Sequence, residues 1–125
     1  MTDSNDISVL VVDDEAPNID SLRRIFEREG FTVLTATSGR KALDLCRHHP
    51  VHVVVSDLMM PGMNGIELVK ALKTVVPDAE VVLMTAFGTV EKAVEAMRAG
   101  AYDFVEKPLK RLQMVKTVQI GRAHV

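Results

Sequence analysis

Residues 7–14 have the sequence Ile-Ser-Val-Leu-Val-Val-Asp-Asp, an apolar run that ends in two aspartates. A similar run, Val-His-Val-Val-Val-Ser-Asp, occupies residues 51–57, and a third, Tyr-Asp-Phe-Val-Glu-Lys-Pro, occupies residues 102–108. Apolar runs rich in β-branched residues predict strands that are buried on both faces. The polar residues that end the three runs therefore stand at strand ends. In an open parallel sheet such ends project from one edge, where ligands bind.

Strand and helix patterns alternate along the rest of the chain. The predicted strands are residues 7–12, 32–36, 51–56, 80–84 and 101–106. Between them, Ser38 and Thr89 are typical N-terminal helix caps, and Gly30 and Gly100 are typical helix ends. Because strand–helix–strand connections are right-handed, the alternation predicts an α/β fold with a doubly wound, five-stranded parallel sheet and helices on both faces.

The composition is that of a single globular domain. The chain has 125 residues, of which 47% are hydrophobic and 26% are charged, and its net charge is −2. This charge argues against direct nucleic-acid binding, and no apolar run approaches the roughly 20 residues of a membrane span. The acidic start at residues 1–6 is unlike a signal peptide, and the lone Cys46 fits a reducing compartment as a small core residue. We therefore expect a cytoplasmic protein with no membrane insertion.

Four ionisable side chains follow the predicted strands. Asp13 and Asp14 follow the first strand, Asp57 ends the third run, and Lys107 follows the fifth. On a parallel sheet these three carboxylates and one ammonium converge in one crevice. Crowded carboxylates repel one another unless a hard cation joins them. The pattern therefore predicts a site for a hard cation, and Mg²⁺ is the usual ion where a phosphoryl group supplies further oxygens.

Four short sequence pieces point to one family. They are Val-Val-Asp-Asp-Glu at 11–15, Ser-Asp-Leu-Met-Met-Pro-Gly-Met-Asn-Gly at 56–65, Met-Thr-Ala at 84–86 and Phe-Val-Glu-Lys-Pro at 104–108. With these pieces in order at strand ends, the chain resembles the receiver domain of two-component response regulators. The run at 84–104 is most similar to receivers of nitrogen-regulatory-protein-C-type, sigma-54-dependent transcription activators. The resemblance implies a flavodoxin-like (βα)5 fold with strand order 2-1-3-4-5.

The resemblance also implies how the site residues act in phosphoryl transfer. Asp57 is expected to be the phosphoacceptor, which attacks a phosphoryl group and forms an aspartyl phosphate. Lys107 is expected to bring a positive charge to the phosphoryl oxygens, and its bond to Pro108 is expected to be cis. Thr85 is expected to donate its hydroxyl to the same oxygens. The chain is then no enzyme but a phosphoacceptor that only assists its own phosphorylation and dephosphorylation.

A metal site and a switch are implied in the same way. The expected Mg²⁺ ligands are Asp13, Asp14, Asp57 and the backbone carbonyl of Met59. Thr85 and Phe104 are the expected switch residues: Thr85 moves towards the phosphoryl group, and Phe104 turns inward into the vacated space.

Two surfaces follow from the resemblance. The predicted first helix, with Asn18, Ser21 and Leu22 near the site, is the expected docking surface for a sensor histidine kinase. The output face, and a possible homodimer interface, comprises the fourth helix, the fifth strand and the fifth helix. We expect an apolar stripe on the fourth helix to pack one side against the core and to leave some apolar surface exposed. The stripe consists of Val90, Ala93, Val94 and Met97. The output is expected to be transcriptional.

These motifs also have simpler structural interpretations. Asp13 and Asp14 could simply cap a helix, and three methionines of the loop, Met59, Met60 and Met63, are predicted to be loop and core filler. Three histidines are predicted to be structural: His48, His49 and His52.

Two rival functions also remain. A haloacid-dehalogenase-like phosphatase also uses a strand-end aspartate, but it needs a second aspartate two residues later, where this chain has Glu15 or Met59. A receiver-like module that binds partners without phosphorylation is the other rival.

The end of the chain departs from the pattern. We expect residues 1–119 to form the receiver domain and residues 120–125, Ile-Gly-Arg-Ala-His-Val, to be a non-native tail or a truncated linker, because Gly121 interrupts the apolar stripe of the last helix. The sequence contains no Gly-x-x-x-x-Gly-Lys-Ser/Thr phosphate loop and no helix-turn-helix pattern. Promoter binding and ATP hydrolysis are therefore not expected of this chain.

Overall fold

Strands and helices alternate in the computed structural model, which describes residues 7–107 and 115–119. The strands are β1 (Ser8–Val12), β2 (Thr32–Ala36), β3 (Val53–Asp57), β4 (Glu80–Thr85) and β5 (Asp103–Glu106). The helices are α1 (Ala16–Arg28), α2 (Gly39–His48), α3 (Gly65–Val75) and α4 (Val90–Ala99), and residues 115–119 are also helical. None of the helices in these two ranges has the length and apolar character that a bilayer crossing requires. The Lys-Pro bond and the tail at 120–125 lie outside the described residues.

The five strands form one parallel sheet in the order β2-β1-β3-β4-β5. This confirms the predicted α/β fold and strand order. The central strands β1, β3 and β4 are buried along nearly their whole length, as their apolar runs predicted. One core cluster packs Phe26 of α1 against the sheet, and the other packs Leu68 and Leu72 of α3 against the opposite face. The strand order reverses between β1 and β3, so a crevice opens at their carboxyl ends.

The start of α3 is pressed against the end of β3. The Asn64 side chain accepts a hydrogen bond from the backbone N–H of Glu67 (2.9 Å), and the Glu67 side chain accepts one from the N–H of Asn64 (3.1 Å). These reciprocal bonds fix the first turn of the helix. A Cβ atom on Gly65 would lie 2.8 Å from the backbone oxygen of Asp57. Glycine is therefore required for the close approach that holds Asp57 in place.

Two strands begin two residues later than predicted. The prediction placed the third strand from residue 51, but β3 begins at Val53, because the N–H of Ser8 donates to the Nδ1 atom of His52 (2.9 Å) rather than to a backbone carbonyl. The prediction placed the fifth strand from residue 101, but the N–H of Ala101 donates to Ala96 (3.1 Å) and closes α4. In both places a backbone N–H that the strand pattern assigned to the sheet donates elsewhere: that of Ser8 to the His52 ring, and that of Ala101 to the end of the preceding helix.

The expected burial of the α4 stripe is wrong. Ala96 is the one buried residue of α4, whereas Val90, Val94 and Met97 are 81%, 43% and 48% exposed. The helix approaches the sheet through Ala96, since the small side chain allows close packing. The longer apolar residues lie beside that contact and face outward. The fourth helix therefore presents more apolar surface than the sequence pattern predicted.

The cysteine and two of the histidines have structural surroundings, as predicted. Cys46 is buried, and burial raises the pKa of its thiol to about 11, so it stays protonated at neutral pH. His52 accepts the hydrogen bond from Ser8 at the end of β3 that lies away from Asp57. The Nδ1 atom of His48 lies 2.8 Å from the Asp44 carbonyl oxygen of its own helix.

Candidate phosphoacceptor and metal site

Three aspartates converge at the carboxyl ends of β1 and β3. Each of Asp13, Asp14 and Asp57 offers a carboxylate oxygen, and these oxygens all lie within 4.8 Å of one another. Asp13 is fully buried, the Asp57 side chain is 13% exposed, and Asp14 is exposed. The convergence predicted from the strand ends is therefore present in the structure. Oxygen donors at this spacing suit a hard divalent cation.

Lys107 brings the positive charge to the same crevice. Its Nζ atom lies 3.5 Å from Asp57 Oδ2 and 3.7 Å from Asp13 Oδ2, and a quarter of its side chain is exposed. Its backbone N–H donates to the carbonyl oxygen of Thr85 (2.7 Å), which ties the end of β5 to the end of β4. Lys107 is thus held by its backbone while its side chain bridges two carboxylates.

The groups around Asp57 shift the pKa of its carboxyl in opposite directions. Burial raises the pKa of the Asp57 carboxyl above its ordinary value, and the negative charge of Asp13 acts in the same direction. The Lys107 ammonium and the hydrogen bond from the backbone N–H of Met59 (3.4 Å to Oδ1) lower the pKa. Lys107 and the Met59 backbone therefore favour the ionised form of the Asp57 carboxyl, whereas burial and Asp13 disfavour it.

Thr85 lies at the end of β4, beside the crevice. In the register of β3 and β4, Asp57 is opposite Met84, and Thr85 is the next residue. Thr85 is 2% exposed, and its Oγ1 atom accepts a hydrogen bond from the backbone N–H of Phe87 (3.2 Å). The hydroxyl therefore closes a tight turn at the start of the loop from β4 to α4.

The remaining predicted residues divide between the core and the surface. Phe104 is half-buried and packs against the core cluster on the α3 face of the sheet. Met60 is buried and Met63 half-buried, as the filler interpretation predicted, but the Met59 side chain is 68% exposed. Phe87 is 87% exposed. The backbone N–H groups of Met59 and Phe87 donate to Asp57 and Thr85, so two residues with exposed apolar side chains directly follow the site residues.

One polar contact within the site is not predicted by the sequence pattern. The amide nitrogen of Asn18 donates to Asp13 Oδ2 (3.2 Å) and to Glu15 Oε2 (3.3 Å). The sequence predicts Asn18 only as part of a docking surface. The available signal was its position, because an asparagine in the first helical turn, five residues after Asp13, can reach back to the strand end.

A groove extends from the crevice along α1. It has a volume of about 220 Å³, and its lining includes Asp13, Lys107 and the α1 residues Asn18, Ser21 and Leu22. The predicted docking residues of the first helix are thus continuous with the acidic site. A partner that contacts this groove would lie close to Asp57.

Comparison with known proteins agrees with this geometry. Residues 9–119 match the response regulator receiver domain family. The chain is 38% identical over 124 residues to the transcriptional regulatory protein ZraR of Escherichia coli, covering 99% of this chain and 28% of ZraR. It is 41% identical over 113 residues to the C4-dicarboxylate transport transcriptional regulatory protein DctD of Pseudomonas aeruginosa, covering 89% of this chain and 24% of DctD. The chain therefore spans about a quarter of the length of these curated relatives.

A solved structure with the same fold is that of the beryllofluoride-activated NtrC4 receiver domain dimer. It superposes with a TM-score of 0.88 at 35% identity, over 93% of this chain and 96% of that one. These matches confirm the expected likeness to receivers of NtrC-type transcription activators. The observed strand order, 2-1-3-4-5, is the order that the receiver resemblance implies, and the family match covers residues 9–119. The chain belongs to the response regulator receiver domain family of two-component signalling.

Proposed function

We propose that Asp57 accepts a phosphoryl group from a sensor histidine kinase and that the modification controls an output. The observation that carries this proposal is the position of Lys107, whose ammonium bridges Asp57 and Asp13 in a cluster of three carboxylates. Such a cluster costs free energy unless it serves a cation or a reacting group, because its like charges repel. Family membership supports the same assignment.

The proposed reaction is a displacement at phosphorus. A carboxylate oxygen of Asp57 forms a bond to phosphorus, and the phosphorus–nitrogen bond of a phosphohistidine breaks, with the electron pair leaving on the imidazole. With acetyl phosphate as donor, acetate leaves instead. Transfer of this kind depends on positioning and on charge neutralisation. Lys107 is close enough to turn from the carboxylates to the new phosphoryl oxygens.

The donor set fits Mg²⁺. We propose that Asp13, Asp14, Asp57 and the backbone carbonyl of Met59 would hold the ion, since three carboxylates already lie within 4.8 Å and Asp14 is open to solvent. When bound, Mg²⁺ supplies positive charge to the phosphoryl oxygens. The side chains of this chain supply the nucleophile, a second positive charge and a hydroxyl donor.

The proposed readout starts at Thr85. In the described state its hydroxyl is engaged by the N–H of Phe87, so a turn towards a phosphoryl group on Asp57 would release the start of the loop that leads to α4. Phe104 is already half-buried and has no hydroxyl to hold it in solvent, which favours its inward position. We propose that the change reaches the face formed by α4, β5 and the helix at 115–119, where it controls transcriptional output or homodimer formation. The exposed Val90, Val94 and Met97 supply apolar contact area on α4.

Lys107→Ala and Thr85→Ala are expected to separate phosphorylation from its readout. Both variants should still accept some phosphate on Asp57, since the nucleophile remains. The shifts of α4 amide signals on phosphorylation should be much smaller than in the wild type, because the contact between site and loop is lost. Lys41→Ala, which changes a lysine on α2, is the control and should respond like the wild type. Equal α4 shifts in all four proteins would show that Lys107 and Thr85 do not couple the site to the surface.

The partners follow from the same proposal. A kinase that phosphorylates Asp57 must reach the crevice, and the α1 groove with Asn18, Ser21 and Leu22 leads directly to it. A phosphoacceptor of this kind turns over no substrate and assists only its own phosphorylation and dephosphorylation. We propose a cytoplasmic location, where histidine kinases use ATP, and no direct binding of nucleic acid by this chain.

Incubation with acetyl phosphate and Mg²⁺, followed by intact-mass spectrometry, tests the proposal against its rivals. A receiver gains one phosphoryl group, and the gain requires the divalent ion. A haloacid-dehalogenase-like phosphatase would hydrolyse the donor continuously without a lasting adduct. A module that only binds partners would show neither turnover nor an adduct, and either of these two results would overturn the proposal.

A further inference from the structure

The Asp13 carboxylate is fully buried, and few donors among the described residues contact it. Its Oδ1 atom accepts the backbone N–H of Glu15 (3.0 Å), and its Oδ2 atom lies 3.7 Å from the Lys107 ammonium. The hydrogen bond from the Asn18 amide, at 3.2 Å, is the shorter of the two contacts described for Oδ2. Buried carboxylates without hydrogen bonds are costly, so each of these donors contributes to the placement of Asp13.

The orientation of Asn18 is determined by its neighbours. Its amide nitrogen has two hydrogens, and the structure places one carboxylate oxygen in reach of each, on Asp13 and on Glu15. The opposite orientation would place the amide oxygen against two negatively charged acceptors. Asn18 is the third residue of α1, and Pro17 before it is suited to the first helical turn. The amide is therefore held on a rigid element and aimed at the acidic site.

The Lys107 ammonium does not stay in contact with Asp13 throughout the proposed reaction. Its ammonium is shared with Asp57, and in the proposed function it turns towards the phosphoryl oxygens. Among residues 7–107 and 115–119, the donors that then remain on Asp13 are the Glu15 backbone and the Asn18 amide. We propose that Asn18 is a positioning residue that holds Asp13 in place for the divalent cation, an inference that rests on the proposed function.

The binding of Mn²⁺, followed by the electron paramagnetic resonance signal of the free ion, tests this role without any phosphoryl transfer. Asn18→Leu removes the donor and nearly keeps the shape, and it should weaken Mn²⁺ binding about tenfold, the usual effect of losing a hydrogen-bond partner of a metal ligand. Gln119→Leu makes the same amide-to-apolar change at an exposed helical position and should bind like the wild type. Circular dichroism confirms folding, and Asn18→Ala carries the same expectation if Asn18→Leu does not fold.

A double-mutant cycle shows whether Asn18 acts through Asp13. In an Asp13→Asn background, Asn18→Leu should cause no further loss of Mn²⁺ affinity, because the ligand that it positions is already changed. An equal loss in both backgrounds would overturn the inference, as would binding by Asn18→Leu within about twofold of the wild type. The metal site itself is tested separately by the wild type and Asp14→Ala. If these two bind Mn²⁺ equally, or the wild type does not bind it, both the proposed metal site and the role of Asn18 fail.

Discussion

Asp57→Asn is expected to abolish phosphorylation of the chain by acetyl phosphate. The amide is nearly isosteric with the carboxylate but lacks the nucleophilic oxygen, so the adduct should disappear from the intact-mass spectrum while the fold is kept. The fold should tolerate the change, because Asp57 lies at the end of β3 and repels Asp13 across the crevice. Amide spectra of the two proteins check that the fold is retained.

Asp44→Asn is the matched control for this substitution. It makes the same chemical change on α2, where the carboxylate is exposed and lies beside His48. The control should be phosphorylated at the wild-type level. Phosphorylation of Asp57→Asn at that level would mean that the acceptor lies elsewhere and that the site assignment is wrong.

The phosphorylated state is expected to be long-lived, and Met59→Asn combined with Phe87→Glu should shorten it about tenfold, which corresponds to a barrier change of about 1.4 kcal/mol. Hydrolysis requires a water molecule in line with the bond between Asp57 and phosphorus. Met59 and Phe87 follow Asp57 and Thr85 by two residues and are 68% and 87% exposed, and neither side chain offers a strong hydrogen-bonding group for that water. Asparagine and glutamate at these positions can orient it. The decay of the phosphorylated protein under the same Mg²⁺ concentration measures the effect.

Thr74→Glu controls for added negative charge. Thr74 is exposed near the end of α3, and it belongs neither to the acidic cluster nor to the face formed by α4, β5 and the helix at 115–119. The phosphorylated control should decay at the wild-type rate. If the double variant decays as slowly as the wild type, or more slowly, the two apolar side chains do not determine the lifetime. A long lifetime would suit slow transcriptional control better than rapid switching.

The sheet and the main site could be predicted because they depend on short local patterns. The apolar runs at 7–12 and 51–56 are long enough to predict strands, and the polar residues that follow must lie at the same edge of a parallel sheet. The placement of Asp13, Asp14 and Asp57 thus required no knowledge of tertiary contacts. The structure adds the separations, and it shows that Lys107 bridges two of these carboxylates.

The surroundings of α4 could not be predicted in the same way. Helical periodicity identifies an apolar stripe but does not show whether the sheet packs against that stripe or against the adjacent face of the helix. The residue that decides the packing is Ala96, which is small and gives little signal in the pattern. Val90 and Val94 are the larger apolar residues, and they are exposed.

Sequence patterns likewise do not predict which side-chain hydrogen bonds form. The hydrogen bond from Asn18 joins α1 to Asp13 just after β1, and the hydrogen bond from Ser8 joins β1 to His52 just before β3. Residue types permit many such pairs, and only the folded geometry selects among them. The same holds for the bond from Phe87 to Thr85, which depends on the shape of the loop after β4.

Chemical mapping of the phosphorylated residue tests the central claim most directly. The wild-type protein is treated with acetyl phosphate and Mg²⁺ and then with borohydride, which reduces an aspartyl phosphate to homoserine. Peptide mass spectrometry then locates the modified residue. The proposed function predicts homoserine at position 57 and nowhere else. Homoserine at position 13 or 14, or a phosphoryl group that survives borohydride on another residue, would contradict it.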